Sequence, residues 1–300
     1  MLRMERLPPA TERAPRLLIL HGLEGSARSH YARGLMWHAH ARGWGADVLT
    51  FRSCGGEMNE LPRSYHAGET GDLALTVERL ARESDAPLLL AGISLGGNVL
   101  LKWLGEQGAR VPAVVRGAAT VSVPYDLARS ARYIQHGFAR VYQAHFLRSL
   151  RAKARLKEAA FPGRVPSAAR AQRARTLYDF DDCFTAPLHG FADADEYYAR
   201  SSSLQFLGAI AVPTLLLSAR DDPFLPPEAL RDVQAVVQSN TAVTLEIVER
   251  GGHVGFVGGR WPWRATYYAE SRVLDFLDTL TYDSPISPSS IVAVTRGGTT

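Results

Sequence analysis

Leu88-Leu89-Leu90-Ala91-Gly92-Ile93-Ser94-Leu95-Gly96-Gly97-Asn98 is the stretch that decides the fold. Its apolar opening, Leu88 to Leu90, reads as a buried strand. Gly92-Ile93-Ser94-Leu95-Gly96 then fits the pattern G-x-S-x-G. From Asn98 to Leu104 the apolar spacing is helical. Strand, tight turn and helix is the context that makes this pattern a nucleophile elbow. A serine on so sharp a turn sits in strained backbone, and side chains two residues to either side would clash, which is why glycine flanks it. The turn also sets Ser94 at a helix N-terminus, where free N–H groups favour a developing negative charge.

Working outward, the same alternation repeats. Arg16 to Leu20 is a buried strand, followed by the glycine-broken loop His21-Gly22-Leu23-Glu24-Gly25-Ser26. Ser29 to Arg42 is helical, with Tyr31, Leu35, Trp37 and His38 available for one face, and Gly43 and Gly45 end it. Ala46 to Phe51 is a strand. Asp72 to Arg82 is a helix with Leu73, Val77 and Leu80 as its core stripe, and Val114 to Val121 is a strand. Strands alternating with helices imply an α/β fold, a mostly parallel twisted sheet with helices on both faces. From Pro124 the alternation stops. Phe138, Val141, Tyr142, Phe146 and Leu150 mark one face of a long amphipathic helix with arginines opposite. It resumes with a strand at Pro213 to Ser218, a helix at Pro227 to Val237, a strand at Ala242 to Val248 and a closing helix from Trp263 to Leu280. The organisation is therefore an irregular lead-in over 1–15, a core over 16–125 and 206–280, a helical insertion over 126–205, and a flexible Ser/Pro/Gly/Thr-rich tail over 281–300.

Composition narrows the function classes. Three hundred residues suffice for one large domain with an insertion. Two cysteines, Cys54 and Cys183, make neither a disulfide framework nor a metal site. His38 and His40 lie two apart, on different helical faces, and do not pair on a metal. No basic, apolar leader opens the sequence and no run approaches the ~20 apolar residues of a membrane span, so a cytoplasmic location is expected. Net charge is +4, but residues 126–175 hold 12 Lys/Arg against 2 Asp/Glu. That segment is either a solvated helical face or a patch for an anionic membrane surface or acidic partner. Nucleic acid is not expected, because no binding motif accompanies the charge. Oligomeric state is not encoded in any of these features.

A serine hydroxyl needs a base to take its proton, and the base needs a third group to hold it. Nucleophile elbows of this kind are followed in the chain by an acid and then a histidine. Ser94 is followed by Asp221-Asp222, just after a strand, and by His253 in Gly251-Gly252-His253-Val254-Gly255-Phe256. All three lie at carboxyl ends of expected strands and can converge. Three positions beyond the small residue Ala219 is Asp222, the favoured acid, with Asp221 as the alternative. An oxyanion needs two donors. Leu95 N–H, after the nucleophile, is one candidate. Leu23 N–H, in the loop after the first parallel strand, is the other, and His21 reads as a structural residue of that loop.

These motifs resemble the YheT-like subfamily of α/β-hydrolases, which includes animal ABHD-type proteins and yeast medium-chain ester enzymes. The matching stretches are HGLEGSARSHYARGL (21–35), FRSCGGEMNELPRSYHAGET (51–70), GISLGGN (92–98), DDCFTAPLHGFADADEYY (181–198), PTLLLSARDDPF (213–224) and GGHVGFVGG (251–259). The resemblance implies an α/β-hydrolase fold with a helical cap insertion. It also implies a Ser94, Asp222, His253 triad and short- to medium-chain acyl esters, small-molecule or lipid-derived, as substrates. No metal or organic cofactor is required. Phe184 and Tyr197 in the insertion would line the acyl site. There are two departures. Only about 15 residues precede the first parallel strand, so a sheet of roughly six strands is expected, and Ser53-Cys54-Gly55-Gly56 stands where Gly-Cys-Ser-Gly is usual. Acyl transfer by the same triad, and a non-catalytic lipid-surface module on the same fold, are the rival functions.

Overall fold

The computed structural model describes residues 2–259 and 265–281. The chain opens with β1 (Arg3–Leu7), β2 (Arg16–Leu20), α1 (His30–Ala41), β3 (Gly45–Thr50), α2 (Gly71–Glu83), β4 (Leu88–Ile93), α3 (Leu95–Gln107) and β5 (Val115–Val121). A cap of helices follows: α4 (Leu127–Tyr133), α5 (Ala139–Ala160), α6 (Ala168–Arg173), α7 (Leu177–Phe180), a π-helical turn (Asp181–Thr185), α8 (Ala186–Leu188) and α9 (Ala194–Ser201). The alternation resumes with β6 (Thr214–Ala219), α10 (Pro227–Val237) and β7 (Val243–Val248). A short ribbon, β8 (Val257–Gly258) with β9 (Thr266–Tyr267), leads into α11 (Tyr268–Asp278).

Seven strands form one sheet in the order β1-β3-β2-β4-β5-β6-β7, parallel except for β1. The inner strands β2 to β6 are buried on both faces, so successive side chains feed two separate cores. Leu88 and Leu90 of β4 join the layer packed by α2, α3 and α10. Leu89, Ala91 and Ile93 join the layer packed by α1 and α11. β2 and β4 are neighbours, with β3 beyond one and β5 beyond the other. The chain thus changes direction across the sheet at β2/β4, and a crevice opens at the carboxyl ends there. Leu23 follows β2 at that edge and Ser94 follows β4.

The lead-in is not irregular. Arg3–Leu7 forms β1, antiparallel to β3 from Arg3↔Thr50 to Leu7↔Ala46, which makes seven strands rather than six. Its side chains are only half-buried, so no apolar alternation announces it. Asp47 supplies the cause. Its carboxylate is fully buried in β3, and a buried charge needs partners. Arg6 of β1 reaches it at 3.2 Å and Arg16 of β2 at 2.9 Å. Two helical faces also differ from expectation. Trp37 of α1 is 65% exposed, while Ala32, Leu35 and Ala39 face the core. On α5, Phe146 and Leu150 turn inward but Phe138 and Val141 are exposed at 73% and 58%. The expected start of the closing helix at Trp263 and nearly all of the tail over 281–300 lie outside the described residues.

Candidate active site

The elbow is built by close backbone approach. Ser94 has φ +53° and ψ −119°, a conformation that L residues seldom adopt. A Cβ on Gly92 would come within 2.6 Å of Gly97 Cα, and one on Gly96 within 2.4 Å of Leu20 O and 2.5 Å of His21 O. Glycine is therefore obligatory where α3 passes over the end of β2. Ser94 N–H donates to Val121 O at 2.8 Å, which anchors the turn to the neighbouring strand end.

Three residues distant in sequence meet at this edge. His253 Nε2 lies 2.8 Å from Ser94 Oγ, and His253 Nδ1 lies 2.9 Å from Asp222 Oδ2. The Asp222 carboxylate is fully buried and also accepts the Phe224 N–H at 2.8 Å. A buried carboxylate on Nδ1 favours the tautomer with its proton there, leaving Nε2 free to accept from the hydroxyl. Asp221 points elsewhere. Its Oδ1 accepts the N–H groups of Gly251 and Gly252 at 2.8 and 2.9 Å, fastening the loop that carries His253. The Phe224 ring packs 4.1 Å from the His253 ring.

Leu95 begins α3, so its N–H has no intrahelical acceptor. Neither it nor Leu23 N–H donates to another group among the described residues. Both residues line the same cavity as Ser94 and His253. His21 lines no part of it. Buried, with Nδ1 2.7 Å from Gly22 O and Nε2 accepting the Phe51 N–H at 3.1 Å, it is held neutral, its pKa lowered by burial to about 4. It is a loop strut.

The cavity, about 150 Å³, runs from Ser94 beneath the cap. Its walls are mainly apolar, including Ile134, Phe146, Leu150, Leu177, Phe180 and Phe184. Phe184 and Tyr197 both line it. Among the described residues no group of three or more potential metal ligands clusters.

Two supporting residues escaped the sequence reading. Asn98 lies in the quoted elbow stretch, yet only the fold reveals its task. Its buried amide donates to Ala67 O and Ser201 O at 2.8 Å each and accepts Ser203 N–H at 2.9 Å, tying α3 to the end of the cap. Lys157 was counted only as part of a basic face. It is fully buried, and its ammonium donates to Asn59 Oδ1 at 2.7 Å and Leu61 O at 2.5 Å. Burial lowers its pKa to about 8. The signal, a weak one, is that Ala154, Ala160 and Phe161 share its helical face.

A family profile described as the alpha/beta hydrolase fold matches residues 15–259. The chain belongs to the α/β-hydrolase fold family. Within it the chain falls in the YheT-like branch. It is 41% identical over 274 residues to YheT of Escherichia coli, itself named only as an inferred esterase, a match covering 91% of this chain and 79% of that one. It is 30% identical over 255 residues to phospholipase ABHD3 of Mus musculus, covering 84% of this chain and 61% of the mouse protein. Among solved structures, the esterase Pf2001 of Pyrococcus furiosus superposes with a TM-score of 0.59 at 17% identity, over 94% of this chain and 88% of that one. Among the described residues no helix is long and apolar enough to cross a membrane.

Proposed function

We propose that this α/β-hydrolase is a serine carboxylesterase acting on short- to medium-chain acyl esters. The observation that carries the reading is the unbroken chain Asp222–His253–Ser94 at the strained elbow, on the floor of an apolar cavity. His253 Nε2 takes the Ser94 proton as Oγ attacks the ester carbonyl. The negative charge that forms on the carbonyl oxygen is met by the Leu95 and Leu23 N–H groups. His253 then protonates the departing alkoxide, leaving an acyl-Ser94 ester. A water, deprotonated by the same nitrogen, attacks the acyl carbon, and collapse returns the carboxylic acid and the free hydroxyl. Asp222 holds the ring and balances its charge in both halves. The names of the relatives, esterase and phospholipase, agree with ester chemistry. The Phe180 and Phe184 side of the cavity would take the acyl chain.

Fluorophosphonate labelling tests the nucleophile without knowledge of the substrate. Wild type is expected to be labelled, and Ser94→Ala and His253→Ala are not. Unlabelled, folded wild type would overturn the reading. A panel of p-nitrophenyl esters from acetate to decanoate then ranks chain length, and added ethanol tests transfer of the acyl group to an alcohol.

A second reading concerns where the enzyme meets its substrate. Exposed Phe138, Val141 and Tyr142 on the cap stand beside exposed Arg140 and Arg148. Tyr142 packs 5.2 Å from Phe224, which packs on His253. Exposed apolar side chains with arginines on the same helix, in ring contact with Phe224 beside His253, suit peripheral contact with an anionic lipid surface. Sedimentation with anionic against neutral liposomes tests this, and equal binding to both would count against it.

A further inference from the structure

Glu24 stands where backbone geometry alone would place glycine. Its φ is +59°, in the left-handed region that long side chains seldom enter. The strain is offset by what the side chain binds. That side chain is 7% exposed. Oε1 accepts from Tyr65 OH and from Lys153 Nζ, each at 2.7 Å, and Oε2 accepts from Ser149 Oγ. The Glu24 N–H donates to Tyr65 OH at 3.0 Å.

Glu24 and its partners bring together three separate segments. Glu24 belongs to the loop after β2. Tyr65 belongs to the loop between β3 and α2, where its ring stacks on Phe51 at 5.4 Å and Phe51 meets the edge of His21 at 4.7 Å. Ser149 and Lys153 are one turn apart on α5 of the cap. One buried carboxylate therefore joins the cap to the loop that carries Leu23. On the other side of Leu23 the chain is also anchored. Gly22 N–H donates to Tyr31 OH at 2.9 Å, and Gly22 O accepts Gly25 N–H at 3.0 Å. Leu23 is a single residue strung between two fixed points, with its N–H uncommitted.

We propose that Glu24 is a positioning residue for the oxyanion site. Its carboxylate holds the Leu23 N–H in place and, through Ser149 and Lys153, makes that placement depend on a seated cap helix. The proposal rests on the Ser94 esterase reading. An oxyanion donor is engaged more strongly in the transition state than in the bound ester, so its misplacement lowers kcat and leaves KM nearly unchanged.

The test measures kcat and KM of the full chain on a p-nitrophenyl ester, with fluorophosphonate labelling of wild type and Ser94→Ala alongside. Glu24→Gly relieves the backbone strain and removes only the tether. It is expected to lower kcat about 100-fold with KM within about threefold, the loss seen when one oxyanion donor is removed. Glu24→Gln keeps the shape and some hydrogen bonds and is expected to retain about a tenth of wild-type kcat. Lys153→Met lowers kcat about tenfold, and adding Glu24→Gln to it costs little more, because both act through one contact. Should Glu24→Gly fail to fold, Lys153→Met and Ser149→Ala carry the same test from the cap side. Wild-type kcat in Glu24→Gly, or in both cap-side variants, would overturn the proposal while leaving the esterase reading intact. Unlabelled wild type would remove that reading and this proposal with it.

Discussion

The sheet side and the cap side of the cavity are held by different physics. On the sheet side the geometry is set by backbone against backbone. A Cβ on Gly96 would meet the Leu20 and His21 carbonyl oxygens at 2.4 and 2.5 Å, and Ser94 is held by a hydrogen bond to the end of β5. Nothing there can shift without moving a strand. On the cap side Tyr197 and Tyr198 pack into the sheet's apolar layer, and the remaining contacts are made by polar side chains. Lys157 caps the carbonyls of the loop at 59–63, His189 Nε2 sits 3.1 Å from Ser64 O, and Tyr197 OH accepts Ala67 N–H at 2.9 Å. Such contacts hold the cap through side chains rather than through backbone against backbone. The difference suits a site whose reacting groups must be rigid while its substrate wall admits and releases ligands of varied length.

The strongest way to break the comparison is at Ser94, the proposed nucleophile. Ser94→Ala is expected to lower ester hydrolysis about 10⁴-fold or more with an unchanged melting curve, read by steady-state rates and thermal unfolding. A melting curve that falls with the rate would show the serine to be structural. Next in size is backbone crowding. Gly96→Ala should destabilise the fold by about 3 kcal/mol or more in urea. Gly208→Ala, past the cap, meets nothing within 4 Å and should stay within about 0.5 kcal/mol. Lys157→Met sharpens the cap half. Its loss removes the ammonium donor to Asn59 Oδ1 and Leu61 O, and hydrogen exchange should speed in the loop at 59–63 and in α5 while the amides of β4 and β5 keep their protection.

Acidification gives a smaller effect. Burial lowers His21 to about 4 and His66 to about 3, against about 6.5 in the unfolded chain. Below pH 6.5 the unfolded chain binds protons that the folded chain refuses, so stability falls as pH falls. The loss by pH 5 is on the order of 1–2 kcal/mol for each histidine. Asp181 acts in the opposite sense, because burial raises it to about 6 and the folded chain takes up that proton first, offsetting part of the loss. The urea midpoint should thus be lower at pH 5 than at pH 7, and His66→Gln should flatten the profile. The smallest expected effect is on specificity. Phe184→Ala should shift ester preference toward longer acyl chains by several-fold in kcat/KM. An unchanged ranking would place the acyl chain elsewhere.

Much of the sheet was legible because buried strands and their helices carry short-range patterns. Arg16–Leu20, Pro227–Val237 and the elbow all declare themselves within a dozen residues, and the elbow's glycines follow from sterics alone. The candidate site residues could be named for the same reason, since each sits just after a strand. β1 could not be read, because an edge strand with half-buried side chains draws on the Asp47 charge, some forty residues away. Spacing after Ala219 favoured Asp222 over Asp221 as the partner of His253, but the hold of Asp221 on the Gly251 and Gly252 N–H groups depends on the path of two turns rather than on residue type.

By itself, then, the sequence determined the α/β alternation, the order of serine, acid and histidine, and the place of the helical cap, all of which rest on local spacing and backbone sterics. Only the tertiary structure decided the seventh strand, the division of labour between Asp221 and Asp222, the outward turn of Phe138 and Val141, and the meeting of Glu24 with Ser149 and Lys153. Those outcomes depend on which distant groups must share a buried charge or a dry surface. That pairing is settled when the layers pack, and no stretch of the chain holds it alone.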